Sequence, residues 1–266
     1  MHTDEVLTLL QEVAADVVLP RWRSLAEGEV MEKRPGDLVT VADREAEVLL
    51  TARLHAAYPR ALVVGEEATA ADPTLPRGLP DAEHAFTVDP VDGTKNFVAG
   101  SPDFGMMVGE LRAGVPVRSW IWQPAHRRAF VAERSAGSWA DGHRLTAAPA
   151  SAQEHSWRLV TSAWSRRGHA YAGLPPLVGS WVSCAIDYPH LLEGDADCLL
   201  YQTSTPWDHV PGSLLLAEAG GALVDLEGRP YTTAHLGGWV LGVADPRIAG
   251  RLLAAFAPLG RDALRR

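Results

Sequence analysis

A change of pattern near residue 150 sets the limits on how this chain can fold. From residue 86 to 132 the apolar residues fall into strand-like runs, "AFTVD", "FGMMVGELR", "VPVRSWIWQP" and "RRAFVAE". The glycine-rich "GSWADGHRL" adds a hairpin and another short strand. Beyond about residue 150, runs such as "WRLVTS" and "CLLY" alternate with helical candidates at 185–193 and 211–219. "GGALVDLEG" and "WVLGVA" read as further strands, and 246–257 as a final helix. The two patterns predict an α/β protein with a mixed α+β first half, residues 1–145, and an α/β second half, residues 146–266.

Ahead of the strand block, Val6, Leu9, Leu10, Val13, Val17 and Val18 recur at helical spacing within residues 3–27, and Pro20 is expected to kink or interrupt that helix. A second helix is predicted from about Val41 to Tyr58, with Asp43 near its start and Pro59 closing it. "ALVVGEE" reads as a short buried strand ending at Gly65, and 68–84 as a surface loop. With 266 residues, 47% of them hydrophobic and 21% charged, the chain can bury a sizeable core in one large domain or two closely packed subdomains. A net charge of −9 argues against nucleic acid or an anionic membrane as the main partner. A small anionic substrate stays compatible, because a bound metal reverses the sign of a site locally. Cys184 and Cys198 form no CxxC pair, and "MHTDEVLTLLQEVAADVV" lacks the basic and apolar regions of a signal peptide. Reduced thiols and a cytoplasmic location, with no membrane span, are the expectation.

No Walker A loop, GxGxxG, HExxH or GxSxG is present. What remains is a set of acidic residues at strand ends and helix starts: Glu66 and Glu67 in "GEE", Asp89 and Asp92 in "DPVDGTKNF", and Asp208 in "PWDHVPG". Carboxylates and backbone carbonyls are the ligands that hard cations such as Mg²⁺ require. Asp89 and Asp92, splayed by a Pro-containing turn, can ligate two adjacent metals, with the Val91 carbonyl as a further ligand. Gly93 and Thr94 would then offer backbone N–H groups to a phosphate. Each piece also has a plainer reading. Asp-x-x-Asp-Gly is a common turn with capping aspartates, and Asp208 can N-cap a helix starting near Pro211.

Taken together, "GEE", "DPVDGTKNF" and "WDHVPGSLLLAEAGG", preceded by "KRPGDLVTVADREAE", resemble the signature segments of the inositol monophosphatase family, in matching order and spacing from about residue 30 to 225. Proteins of that family are Mg²⁺-dependent, lithium-sensitive phosphatases. The resemblance implies a layered αβαβα sandwich, usually homodimeric, with two or three Mg²⁺ ions between its two parts, Mn²⁺ as a substitute and Li⁺ as an inhibitor. By position it implies that Glu66 and Thr94 bind and activate the attacking water, Glu66 also serving as a metal ligand. Asp89 and the Val91 carbonyl would ligate metal, Asp92 would bridge two metals, and Asp208 would complete the second site. Asp43 matches the aspartate that orients the threonine hydroxyl, while Lys33 and Asp37 match flanking residues. The implied reaction is in-line hydrolysis of a small phosphorylated metabolite, without a phosphoenzyme.

The substrate side departs from the family pattern. A Gly-Ser/Thr-Ala-Ala segment is usual where this chain has Val182, Ser183, Cys184 and Ala185, and Tyr201 stands in place of a glutamate that binds inositol hydroxyls. Asp92, Gly93, Thr94, Val182, Ser183, Cys184 and Tyr201 are the expected substrate contacts, with Trp181 and His209 as further candidates toward the cleft. Inositol monophosphate is the default substrate. Histidinol phosphate, fructose 1,6-bisphosphate and adenosine 3′,5′-bisphosphate are alternatives, and a catalytically silent binding protein on the same fold is a third reading.

Overall fold

The N-terminal apolar stripe forms α1 (Thr3–Val13), which widens into a π turn over Ala14–Val18 and stops short of Pro20, where a proline would break the ladder. A hairpin that the periodicity does not reveal follows, β1 (Val30–Arg34) and β2 (Asp37–Thr40). α2 (Val41–Ala57) begins with a capping box: Thr40 caps the helix while Asp43 reaches back to the Thr40 N–H. β3 (Leu62–Gly65) leads into the short α3 (Glu66–Ala71), so the segment expected as loop from residue 68 begins as helix. The computed structural model describes residues 1–263.

The strand block runs as β4 (His84–Asp92), then α4 (Thr94–Val98), then β5 (Gly105–Arg112), β6 (Val115–Gln123), β7 (Arg128–Glu133), β8 (Gly137–Ala140) and β9 (His143–Leu145). With β3 these strands form a seven-stranded sheet in chain order, antiparallel except for the parallel β3–β4 pair. Tight turns from β5 onward permit only antiparallel neighbours, β4 reaches its antiparallel partner β5 through α4, and β3 and β4 are joined through α3 and a longer crossover.

The second half supplies β10 (Leu159–Thr161), β11 (Val178–Gly179), α5 (Cys184–Glu193), β12 (Cys198–Tyr201), α6 (Pro206–Ala219), β13 (Ala222–Asp225), β14 (Val240–Val243) and α7 (Ala249–Ala263). Its five strands are ordered β11-β10-β12-β14-β13, parallel on one side of β12 and antiparallel on the other. α6 starts earlier than its apolar run suggests, because Pro206 fits the first helical position. Asp208 is therefore inside the first turn and does not cap a helix at Pro211.

Burial places these elements in five layers. Leu10 of α1 and Leu50 of α2 pack with Phe86, Val88 and Trp120 on one face of the large sheet. α5 and α6 lie between the sheets, with Tyr188, Val210 and Leu214 set against Met107 and Ile121 on one side and Leu199 on the other. α7 closes the far face, Leu252 and Phe256 meeting Leu200 and Leu241. This is the αβαβα sandwich expected from the motifs. Each buried leucine or phenylalanine contributes about 1.5–3 kcal/mol toward holding it. Among the described residues no helix is long and apolar enough to cross a membrane.

Candidate active site

β4 carries the centre of the site. Its pairing with β5 slips between Asp89 and Asp92, where Pro90 has no N–H to give to a ladder. Asp89 Oδ1 accepts the Val91 N–H at 3.1 Å. Gly93 then turns left-handed at φ 85°, and any Cβ there would come within 2.8 Å of the Ser183 side chain. That turn starts α4, whose Thr94 Oγ1 lies 3.1 Å from both Asp43 Oδ1 and the Val91 carbonyl. Asp43 is fully buried, its Oδ2 accepting the Thr40 N–H at 2.8 Å and the Thr40 hydroxyl at 2.5 Å.

Two further carboxylates arrive from elsewhere in the chain. Asp208, on α6, accepts the Thr205 hydroxyl at 2.5 Å, and its carboxylate oxygens reach within 4.8 Å of those of Asp89 and Asp92. Glu66 enters the same cleft from the first residue of α3, its Oε1 2.6 Å from Lys33 Nζ, which also holds Glu67 Oε1 at 2.8 Å. The cleft has a volume of about 540 Å³ and includes Arg34, Asp37, Lys95 and Val182 along its walls. Asp92 Oδ2 is bound from the middle layer, by the Ser183 hydroxyl at 2.5 Å and the Ala185 N–H at 2.6 Å.

Burial dominates the electrostatics. It lifts Glu66 to about 8, with Asp208 and Glu67 adding to the rise and Lys33 opposing it. Asp92 also reaches about 8, from burial and then Asp208, against the pull of the Ala185 N–H and the Ser183 hydroxyl. Asp89 is raised well above the usual range by burial and by Glu66, Asp92 and Asp208. Asp43 rises to about 6 from burial, although the Thr40 bonds oppose it. Carboxylates crowded in this way, with Lys33 as the cation beside Glu66, repel unless further positive charge joins them. Oxygen donors without thiolate or imidazole fit a hard divalent cation.

The sequence profile of the inositol monophosphatase family matches residues 2–259. The chain belongs to the inositol monophosphatase family. The inositol-1-monophosphatase of Mesorhizobium japonicum is 31% identical over 235 residues, covering 82% of this chain and 86% of the relative. Nus factor SuhB of Escherichia coli K12 is 25% identical over 264 residues, covering 95% of both. Among solved structures, the Thermotoga maritima IMPase superposes with a TM-score of 0.79 at 20% identity, covering 97% of this chain and 98% of that one. An IMPase/NADP phosphatase complexed with NADP and Ca²⁺ gives 0.80 at 18% identity, covering 95% and 94%. Both superpositions show the shared inositol monophosphatase fold.

Within that fold the cleft gathers Glu66, Asp89, Asp92, Gly93, Thr94, Val182 and Asp208, and Asp43 stands behind Thr94. Val91 is buried, its carbonyl engaged by Thr94. Ser183 reaches the site through Asp92. Four expectations do not hold. Tyr201 is 4% exposed and turned into the middle layer, where its hydroxyl donates to Asp187 Oδ2 at 2.9 Å. Cys184 is likewise packed in that core. His209 is a core residue: its Nε2 lies 2.9 Å from the Thr203 carbonyl, and its Nδ1 2.7 Å from the Tyr188 hydroxyl. Trp181 stacks on His190, with ring centroids 4.2 Å apart, instead of facing the cleft.

Glu47 supports the cleft in a way that sequence reasoning missed. Its carboxylate accepts the N–H groups of Glu67 and Ala68 at 2.8 and 2.7 Å, capping the helix that presents Glu66. Its signal was position: Asp43 and Glu47 stand one helical turn apart on one face of α2. Asp187 left no comparable trace, while Asn96 lies inside "DPVDGTKNF" without having been singled out. A surface cluster of His190, Glu193 and Asp195 also brings three ligand atoms within 4.8 Å. Its members are engaged with one another and with Arg128.

Proposed function

We propose that the protein is a Mg²⁺-dependent phosphatase that hydrolyses a small phosphate monoester. The observation that carries this reading is the convergence of Asp89, Asp92 and Asp208 within 4.8 Å beside the Thr94–Asp43 pair. Asp89, Asp92, Asp208, Glu66 and the Val91 carbonyl would hold the metal, with Mn²⁺ as a substitute and Li⁺ as an inhibitor. When bound, such ions lower the pKa of water and neutralise phosphoryl oxygens. The chain's own residues place the reactants. Asp43 takes the Thr94 hydroxyl proton in a hydrogen bond, which leaves the threonine oxygen to accept one from the attacking water. Glu66, held by Lys33, orients the same water and takes up its proton as the new P–O bond forms and the ester P–O bond on the opposite side breaks, the departing alkoxide taking a proton from solvent water. Gly93 and Thr94 offer backbone N–H groups to the phosphate, and the exposed Lys95 adds positive charge beside them.

Inositol 1-phosphate is a substrate in this reading without being privileged. The residue in place of the hydroxyl-binding glutamate is Tyr201, turned away from the cleft, and Val182 adds bulk at the rim. Histidinol phosphate, fructose 1,6-bisphosphate and adenosine 3′,5′-bisphosphate remain alternatives. Relatives named inositol-1-monophosphatase support hydrolysis, and those named Nus factor SuhB support a binding role. The intact carboxylate set favours the first. Residues 1–145 would supply Glu66, Asp89, Asp92 and Thr94, and residues 146–266 would supply Asp208 and Val182, within a cytoplasmic homodimer that needs neither nucleic acid nor membrane.

Phosphate release from a panel of phosphorylated metabolites tests the reading. Activity is expected with Mg²⁺ and should be lost in EDTA and lowered by Li⁺. Full turnover in excess EDTA would sink it, and no release from any substrate with Mg²⁺ present would favour the silent reading.

A further inference from the structure

The segment from Ser180 to Ala185, which joins β11 to α5, is tied down at both ends. The Trp181 N–H donates to Asp187 Oδ1 at 2.8 Å, and its carbonyl accepts from Asn96 Nδ2 at 2.8 Å. The same Asn96 amide reaches the Asp103 carbonyl at 2.6 Å. The Trp181 ring is packed on His190 and on the Arg158 guanidinium. Between these anchors Val182 is held at φ 65°, a left-handed conformation that a β-branched residue rarely adopts. Such strain persists only where the surroundings over-determine it. At the far end, Ser183 Oγ and the Ala185 N–H both converge on Asp92 Oδ2.

The anchor itself is unusual chemistry for a core. Asp187 is 1% exposed, and its second oxygen accepts the Tyr201 hydroxyl at 2.9 Å. Burying a carboxylate is unfavourable unless its oxygens are bonded, and well-packed apolar residues often serve stability as well or better. Packing alone therefore gives no reason for the pair.

We propose that Asp187, Tyr201 and Asn96 form a clamp that holds residues 180–185 in their strained conformation and thereby orients the Asp92 carboxylate. Oδ2 is committed to the middle layer by Ser183 and Ala185, which would leave Oδ1 available to hold a metal. The three are positioning residues: Asp187 and Asn96 bond Trp181 of this segment, Tyr201 bonds Asp187, and none touches the substrate. The inference rests on the metal-dependent reading above. It assigns Tyr201 a part in metal affinity in place of hydroxyl recognition.

The test is Mn²⁺ binding to the metal-free protein by titration calorimetry, together with kcat, KM and the Mg²⁺ half-saturation concentration. Asp187→Ala and Tyr201→Phe should weaken Mn²⁺ binding and raise the Mg²⁺ requirement roughly 10-fold, with a smaller change in substrate KM. Asp187→Asn keeps an acceptor for the Trp181 N–H and should recover most of the loss. Tyr188→Phe removes from the same core a hydroxyl that bonds His209 instead of the clamp, and should leave metal binding unchanged. Wild-type affinity in folded Tyr201→Phe, or equal weakening in Tyr188→Phe, would overturn the clamp. Should Asp187→Ala fail to fold, Tyr201→Phe decides alone. A wild-type protein that binds no Mn²⁺ would overturn the metal reading itself, and the clamp with it.

Discussion

Val182 holds its left-handed conformation against the preference of its own side chain, at a cost of about 1–3 kcal/mol. Glycine carries no such penalty but gains freedom in the unfolded chain, so the two effects partly offset. Val182→Gly is accordingly expected to raise stability by about 1 kcal/mol, seen as a higher urea midpoint with an unchanged m value. A lower midpoint would mean that the valine packs better than its backbone suggests. That Asp89, Asp92 and Thr94 meet in one cleft was legible because they lie in a short motif and share one turn. His209 and Tyr201 were expected toward the cleft and lie in the core, because adjacency in sequence does not fix direction. His209 follows Asp208, yet successive helical side chains diverge by about 100°, which takes the imidazole into the core. Tyr201 has the same difficulty on a strand, where alternate residues face opposite ways.

Among the elements, α3 depends on its cap. It is six residues long, too short to be stable alone, and its first N–H groups are met by Glu47. Gly65 makes this contact possible, because a Cβ there would lie 2.3 Å from the Glu47 carboxyl carbon. Glu47→Ala should therefore cost about 1.5–3 kcal/mol, loosen residues 66–71 and lower kcat more than KM by releasing Glu66. Hydrogen exchange across α3, read beside steady-state kinetics, checks both effects. Unchanged protection of Glu67 and Ala68 would refute the capping account. Brevity also explains why the part of α3 from residue 68 was read as loop, since a helix of under two turns shows no apolar period. The β1–β2 hairpin escaped for a related reason: "MEKRPGDL" has no clear alternation, and its charged residues are placed by the cleft rather than by a core.

Across the whole molecule, the raised carboxylates link stability to pH and metal. Glu66 and Asp92 titrate near 8 in the folded, metal-free protein, far above their usual range, and Asp89 is raised as well. The native state thus keeps protons that the unfolded chain releases from about pH 4 upward, and stability falls as pH rises from there to about 8. The metal-free protein is expected to melt at a lower temperature at pH 8 than at pH 5, and Mg²⁺ should raise the melting temperature more at pH 8. Equal melting at both pH values without metal would contradict the burial of these groups. At this scale the layered architecture was legible through the motif resemblance, whereas the strand order of the smaller sheet was not, because its partners are distant in sequence. The shared middle layer has a temporal consequence. Met107, Ile121 and Phe130 on the large sheet's inner face are covered by α6, whose last residues leave the ribosome on the order of ten seconds after β7 at ordinary translation rates. A nascent chain therefore carries an uncovered apolar sheet until α6 emerges. That helix also carries Asp208, so the growing polypeptide completes its carboxylate set only as its interior closes.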